Sequence, residues 1–230
     1  MLKETVKDVG GRVLSMGPVG LQTYVKETVE LMFWRRELRR SNGEFYNGHF
    51  KRNFTDLFGL DDAYFAGKRM LDVGCGPLGS LEWADQAAER VGVDSLADRY
   101  RELNKGKHAM RYVNAGFEDL PFDDGSFDVV STFNALDHVE DAGAAIREAQ
   151  RVLAPGGDLL LIVEINHAPT LTEPQTLKVD ILDKFDDCDE VDRKVFAINE
   201  RHDVYASIAE AKPPASPEAE AILCARLVKR

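Results

Sequence analysis

Three glycines at fixed spacing form the segment of this chain most able to do chemistry. Gly74, Gly76 and Gly79 satisfy the pattern GxGxxG within the stretch LDVGCGPLGS, which follows a short apolar run. Glycines let the backbone turn sharply and approach a ligand closely, and a following helix would offer free N–H groups. Asp94 lies 20 residues after Gly74, where a dinucleotide-binding fold carries its ribose-holding acid. A nicotinamide-dependent oxidoreductase is therefore an open hypothesis.

The residue that argues against a dinucleotide is Asp72, two positions before the first glycine. A carboxylate at this place would face a pyrophosphate unfavourably and an ammonium group favourably. Asp72 thus favours a zwitterionic ligand that carries a sulfonium.

Five segments, in order, resemble the motifs of class I S-adenosylmethionine-dependent methyltransferases, and the match covers about residues 68–166. The segments are LDVGCGPLGS, Val91–Asp94, Phe117–Val130, Leu136–Val139 and Arg151–Gly157. Within that family the chain is similar to the UbiE/UbiG-like group, and WRREL and GSLEWA resemble uncharacterised bacterial methyltransferases of small molecules or glycans. The resemblance implies S-adenosyl-L-methionine as cofactor and S-adenosyl-L-homocysteine as product. It implies O-methylation of a small molecule or sugar, with nitrogen as the alternative acceptor atom.

The resemblance also implies cofactor roles, position by position. Asp94 would accept both ribose hydroxyls, a task that suits an ionised carboxylate. Asp72 would help to hold the methionine ammonium, and Asn134 would reach the same end of the cofactor. Around the adenine the chain departs from the family pattern, so the Phe117 backbone and the Glu118 side chain would hold this ring. The predicted cofactor-binding residues are Asp72, Gly74, Cys75, Gly76, Asp94, Ser95, Phe117, Glu118 and Asn134.

Two histidines, His138 and His167, are the candidate catalytic residues. Methyl transfer requires an acceptor atom aligned with the S–CH3 bond and the exclusion of water. A hydroxyl acceptor would use a general base, and histidine titrates near neutral pH. His138 follows the fourth predicted strand and His167 the fifth, and such strand ends border the ligand crevice of an open parallel sheet. A hydrogen bond from His138 to the cofactor carboxylate or to a loop stays open.

The predicted elements place these residues on a parallel α/β sheet, because short apolar runs alternate with helical patterns. The predicted strands are 70–73, 91–93, 111–113, 127–133 and 159–163, with a crossover helix at 81–91 and a second helix at 140–153 ended by Pro155-Gly156-Gly157. The family implies a Rossmann-like fold. Its sheet has seven strands, mostly parallel with an antiparallel last strand at 221–228, helices cover both faces, and an N-terminal helical lid precedes it.

Residues 1–230 are predicted to form a single methyltransferase domain with three zones. Residues 1–67 form the helical lid, since apolar side chains recur at helical spacing before Ser41-Asn42-Gly43. Residues 68–166 form the cofactor-binding core. Residues 167–230 supply a substrate loop and C-terminal strands, one around 194–198, and include an acidic run.

That acidic run, residues 183–192, is expected to be a solvated face, because carboxylates without matching histidines or cysteines do not specify a metal. No metal site is predicted.

Composition narrows the class of partner. The 230 residues include 40 acidic and 29 basic side chains, a net charge of −11 that opposes binding to nucleic acid or anionic lipid. The three cysteines are Cys75, Cys188 and Cys224, and no two of them form a CxxC pair. Their number and spacing predict reduced thiols. No apolar run approaches the roughly 18 residues of a membrane span. We therefore expect a cytoplasmic monomer or homodimer that acts on a small-molecule or glycan acceptor, away from membranes.

Two other functions stay open. A dehydrogenase would bind a nicotinamide cofactor, and a non-catalytic protein would bind S-adenosylmethionine without transferring its methyl group. A nucleic acid acceptor is disfavoured because Asn134-Ala135-Leu136-Asp137 stands where nucleic acid methyltransferases carry an NPPY-like tetrapeptide. The basic run RRELRR (35–40) keeps a tRNA substrate open.

Overall fold

The computed structural model describes residues 19–230, with side chains from residue 25 onward. Its strands are β1 (Arg69–Val73), β2 (Glu89–Asp94), β3 (Arg111–Asn114), β4 (Phe127–Phe133), β5 (Leu153–Ile165), β6 (Cys188–Ala197) and β7 (Ala221–Lys229). Its helices are α1 (Val19–Arg40), α2 (Phe50–Phe54), α3 (Asp62–Phe65), α4 (Ala97–Leu103), α5 (Ala142–Val152) and α6 (Val204–Glu210), with 3-10 turns at Asp56–Phe58 and Val179–Lys184.

The seven strands form one sheet in the order β3-β2-β1-β4-β5-β7-β6. Parallel pairs join β1 to β2 and β4, β2 to β3, and β4 to β5, whereas β7 lies antiparallel between β5 and β6. This confirms the predicted Rossmann-like sheet. The chain runs outward from β1 to β3 and then returns to β4 on the other side of β1. The winding therefore reverses between β1 and β4, a place where α/β sheets bind ligands at their carboxyl edge.

Alternate strand residues build a core on each face of the sheet. On β1, Leu71 and Val73 pack into one cluster and Met70 into the other. Helix α5 covers the first face with its alanines and Ile146. The aromatic segment 45–58 covers the second face, mainly with Phe54 and its neighbouring rings. With both faces covered, residues 159–163 of β5 can form an unbroken apolar run.

The connection from β1 to β2 contains no α-helix, so the predicted crossover helix at 81–91 is wrong. Residues 74–88 form turns instead. Gly74, Gly76 and Gly79 have φ values of +75°, +56° and +74°, in the left-handed region that an α-helix does not use. Residues 80–88, between the last of these glycines and β2, also form turns. No helix therefore begins directly after the glycine turn.

Helix α5 and strand β5 are joined without a loop. Asp141 caps α5 by accepting the N–H of Ala144 (3.0 Å), so the helix begins at Ala142 rather than at residue 140. Strand β5 then begins at Leu153 rather than at residue 159, and the predicted helix stop at residues 155–157 lies within the strand. Pairing with Phe127 of β4 extends the strand this far.

The last part of the sheet is longer than predicted. Strand β6 begins at Cys188 rather than near residue 194, because its residues pair along β7 from Lys229 onward. The acidic run 183–192 thus ends in an edge strand whose carboxylates are largely exposed. In the described residues, no group of acidic, histidine or cysteine side chains could hold a metal ion.

Helix α1 ends at Arg40. The hydroxyl of Ser41, the next residue, donates to the carbonyls of Glu37 and Leu38 in the last turn of the helix. This agrees with the predicted stop at residues 41–43. The first 18 residues of the predicted lid lie outside the described residues. All three cysteines are buried and unpaired, as predicted. Within residues 19–230, no helix is long and apolar enough to cross a membrane.

Candidate cofactor and acceptor site

The glycine turn after β1 meets the loop after β4 at the carboxyl edge of the sheet. A Cβ atom on Gly74 would lie 2.2 Å from the Cβ of Ala135, so only glycine fits there. Its φ of +75° also favours glycine. Asn134, with a φ of +56°, donates its backbone N–H to Ile162 on β5. The two loops therefore form one crevice where the winding of the sheet reverses.

Asp94 ends β2 and faces the glycine turn. Its carboxylate accepts the backbone N–H of Gly76 (3.2 Å) and that of Leu96 (2.9 Å). Burial, followed by the nearby carboxylate of Glu30, raises the pKa of Asp94 to about 7. The Asp94 side chain is thus held in one orientation beside the turn, while that of Ser95 is exposed.

Asp72 lies beside the same turn but inside the protein, with 2% of its surface exposed. It accepts hydroxyl hydrogens from Ser131 (2.6 Å) and from Ser80. Burial raises the pKa of Asp72 to about 6, although both hydrogen bonds act to lower it. Asp72 therefore ties β1 to β4 and to the end of the glycine turn. Its contact with an ammonium group stays a prediction.

Cys75 turns its thiol away from the crevice. A Cβ atom on Gly92 would lie 2.6 Å from the Cys75 sulfur, so the thiol packs directly on β2. Burial raises the pKa of this thiol well above its ordinary value, which keeps it protonated and unreactive at neutral pH. Cys75 can serve the site through its backbone.

The predicted adenine residues follow β3, and their side chains are already engaged. The Phe117 ring is buried in the core on one face of the sheet. The Glu118 carboxylate accepts the backbone N–H of Glu140 (2.9 Å) and of Asp141 (3.4 Å). Glu118 thus holds the entry to α5 against the loop after β3. Whether either residue holds adenine stays a prediction.

Helix α1 lies across the loops of the crevice. The Trp34 ring is 3.6 Å from a Cβ position on Gly76. Glu30 accepts the Tyr100 hydroxyl (2.7 Å) from α4, and Lys26 pairs with Glu140 after β4. One helix therefore contacts the segments that follow β1, β2 and β4.

The two candidate histidines come together around a buried carboxylate, Asp137. The His138 Nε2 lies 3.9 Å from Asp137 Oδ1, and the His167 Nε2 lies 3.7 Å from Asp137 Oδ2. His138 also acts electrostatically on Asp94, so the cluster adjoins the cofactor crevice. His167 Nδ1 lies 2.9 Å from the Ala168 carbonyl, which assigns the proton of a neutral ring to Nδ1 and leaves Nε2 as an acceptor.

Sequence reasoning missed the place of Asp137 between the two histidines and the contacts of Glu30 and Trp34. Asp137 stands beside His138 in a matched segment, and that neighbourhood could have drawn attention to it. Glu30 and Trp34 have no such signal, because their partners lie far along the chain.

Residues 71–161 match the family model described as a methyltransferase domain. The sarcosine/dimethylglycine N-methyltransferase of Halorhodospira halochloris is 36% identical over 99 residues, which are 40% of this chain and 36% of that protein. The ubiquinone/menaquinone biosynthesis C-methyltransferase UbiE of Idiomarina loihiensis is 42% identical over 89 residues, which are 38% of this chain and 34% of that protein. The match thus spans about a third of these relatives.

The fold has solved counterparts. The S-adenosylmethionine-dependent methyltransferase from Mesorhizobium loti aligns with a TM-score of 0.56 at 18% identity, covering 72% of this chain and 92% of that one. This likeness concerns the fold alone. Family and fold together imply S-adenosyl-L-methionine as the cofactor. Residues 71–161 therefore form a methyltransferase domain of the class I S-adenosylmethionine-dependent family.

Proposed function

We propose that this chain transfers a methyl group from S-adenosyl-L-methionine to an oxygen atom of a small molecule or sugar, with nitrogen as the alternative acceptor atom. The observation that carries the proposal is the crevice at the carboxyl edge, where Asp94 is fixed on the amide of Gly76. The relatives named above methylate nitrogen and carbon, so the family by itself does not choose the acceptor atom.

The residues of the crevice suit the cofactor. The carboxylate of Asp94 would accept the ribose hydroxyls, and the close backbone approach at Gly74 and Gly76 would lie under the methionine part. The side-chain oxygen of Asn134 is buried and has no hydrogen-bond partner within residues 25–230. An orphaned buried acceptor is costly, and a ligand ammonium would satisfy it. Asp72, Cys75, Ser95, Phe117 and Glu118 complete the proposed set.

The protein's own contribution is positioning, because the bound cofactor supplies an already activated methyl group. Helix α1, through Trp34 and Glu30, would keep water from the crevice. His138 and His167 would receive the proton of an acceptor hydroxyl at Nε2, which in both rings is buried and lacks a hydrogen-bond partner among the described residues. A positively charged or neutral acceptor fits the net charge of −11 better than a nucleic acid does. We also propose a reducing, cytosolic setting, supported by the three free cysteines.

Calorimetry with S-adenosylhomocysteine and, separately, with nicotinamide cofactors tests the cofactor assignment. We expect saturable binding of the first only, and Asp94→Ala should weaken it by about tenfold or more through the lost ribose contacts. Asp98→Ala, an exposed carboxylate on the next helix, is the matched control and should bind normally. Binding of a nicotinamide cofactor alone would overturn the proposal.

A screen of acceptors with labelled S-adenosylmethionine tests the transfer. We expect turnover with at least one hydroxyl- or amine-bearing small molecule, and a loss when both His138 and His167 are replaced by glutamine. Cofactor binding with no turnover on any acceptor, unchanged by those replacements, would favour a non-catalytic binding protein.

A further inference from the structure

The surroundings of Asp137 have an unusual balance of charge for the interior of a protein. Two carboxylates, Asp137 and Glu164, lie within electrostatic range of each other at the carboxyl ends of β4 and β5. Glu173, from the loop that follows β5, acts on both of them. Within residues 25–230, the other charged side chains that act on this pair are histidines. His138 and His167 act on Asp137, and His167 and His202 act on Glu164. No lysine or arginine is among them.

Burial makes this imbalance costly. Asp137 is only 2% exposed, and its Oδ1 atom has no hydrogen-bond partner within the described part of the chain. Burial is also the main cause that raises the pKa of Asp137 and of Glu164. A buried carboxylate oxygen that lacks a hydrogen bond is costly to the fold, and a charged donor brought by a ligand would remove that cost.

The geometry at His167 shows which kind of partner is missing. His167 is 8% exposed, and its Nε2 atom, which has no hydrogen-bond partner among the described residues, lies 3.7 Å from Asp137 Oδ2. A neutral His167 ring carries its proton on Nδ1, so its Nε2 atom and the Asp137 carboxylate are then both hydrogen-bond acceptors. A group with several N–H donors and a positive charge would bond to both.

A hydroxyl would satisfy this geometry less completely, because it brings one donor and no charge. A carboxylate or phosphate would be repelled by Asp137, Glu164 and Glu173. Of the small-molecule acceptors considered above, an amine-bearing molecule therefore fits best.

We propose that Asp137 and Glu164, with His167, form a binding site for the protonated amino group of the methyl acceptor. The acceptor is then an amino sugar, an amino alcohol or another small amine. This inference rests on the proposed function and narrows its acceptor to one chemical class. It assigns the His167 Nε2 atom to the ammonium group, so that His138 alone would receive the proton of an acceptor hydroxyl, and it leaves the methylated atom to the acceptor screen.

Matched acceptor pairs on the protein saturated with S-adenosylhomocysteine test the site. The probes are ethanolamine against ethylene glycol, glucosamine against glucose, and putrescine against 1,4-butanediol. Binding is followed by calorimetry and by the ring NMR signals of His138 and His167. We expect at least one amine to bind about tenfold or more tightly than its hydroxyl partner, the change that one charged hydrogen bond produces.

Variants separate charge from shape. Glu164→Gln and Asp137→Asn keep the side-chain size and remove the charge, so each should reduce the preference for the amine. Glu190→Gln, an exposed carboxylate on β6, is the control and should leave that preference intact. Equal binding of amine and hydroxyl partners, absence of amine binding, or a preference that persists in Glu164→Gln would overturn the inference. Intact binding of S-adenosylhomocysteine in the same samples would leave the proposed function standing, whereas its absence would overturn the proposed function first.

Discussion

At the scale of single residues, the site is built from carboxylates whose surroundings give them different tasks. Asp72 is bonded to two serine hydroxyls and holds the loops together. Asp94 accepts hydrogen bonds from two backbone amides, and burial, followed by the nearby carboxylate of Glu30, raises its pKa to about 7. Asp137 is buried without a hydrogen bond to one of its oxygens. One residue type thus has a structural task at Asp72 and the proposed tasks of cofactor binding at Asp94 and acceptor binding at Asp137.

The raised pKa predicts that Asp94 lowers the stability of the cofactor-free protein. An unfolded aspartate has a pKa of about 4, below the value of about 7 in the fold. As pH rises between these values the unfolded chain releases its proton first, so stability falls with rising pH. Asp94→Asn should therefore raise the Tm by a few degrees at pH 8 and give a smaller gain at pH 5. Thermal unfolding measures this, with Asp98→Asn as the control, and a lower Tm at pH 8 would contradict it.

The contact between two loops gives a second prediction at this scale. Gly74→Ala places a methyl group 2.2 Å from the Ala135 Cβ at a φ of +75°, so it should cost about 1–3 kcal/mol. Ala135→Gly in the same chain removes the clash but leaves the strain in φ. Urea unfolding of the single and double variants should show partial recovery. Strictly additive losses would show that the two residues do not meet.

At the scale of elements, one helix and one turn define the crevice. The glycine turn leads into further turns rather than into a helix, so no helix N-terminus can contribute N–H groups to ligand binding here. The backbone amides near Gly76 and the Asp94 carboxylate are the polar groups beside the turn. Helix α1 crosses the same loops and brings Trp34 over the turn. Its four arginines are exposed.

The position of α1 predicts that it slows release of the cofactor. Trp34→Ala removes the ring over Gly76, so S-adenosylhomocysteine should dissociate several times faster, since most such changes act on the off-rate. Met32→Ala, on the same helix with 63% of the side chain exposed, is the matched control. Stopped-flow displacement measures both rates, and equal rates for the two variants would rule out a covering role for Trp34.

At the scale of the whole molecule, one buried carboxylate on β5 joins the last strand to the N-terminal segment. Asp158 on β5 is 1% exposed and accepts hydrogen bonds from Arg226 on β7 (2.6 Å) and from the Tyr64 hydroxyl. Burial raises the pKa of Asp158, and Arg226 opposes that shift. The pair therefore helps to fix β7 between β5 and β6.

Breaking this pair should be strongly destabilising. Arg226→Met leaves the Asp158 carboxylate buried without its partner, a change that costs about 3–5 kcal/mol. The loss should be smaller at pH 5 than at pH 8, because protonation removes the uncompensated charge. Urea unfolding tests this, and Arg230→Gln, which breaks the exposed pair with Asp189, should cost less than about 1 kcal/mol. Equal losses in the two variants would contradict the role of burial.

The parts of this protein that depend on local chemistry could be predicted from its sequence. Strand β4 has the predicted bounds 127–133, the glycine turn and Asp94 lie at neighbouring strand ends, and β7 is antiparallel. Short apolar runs, turn residues and ordered motifs encode these features over a few residues each. The predicted helix at 81–91 was wrong because helical spacing over small apolar residues does not reveal that the preceding glycines are committed to turns.

Only the tertiary structure decided which distant side chains meet. It placed Trp34 over Gly76, turned the Glu118 carboxylate toward the start of α5, and set Asp137 between His138 and His167. Except for Asp137 and its neighbour His138, these contacts join residues that lie more than 20 positions apart in the chain. Their geometry follows from how the layers pack, and no local pattern records it. The sequence therefore determined the cofactor-binding framework, and the packed fold determined the chemistry of the pocket beside it.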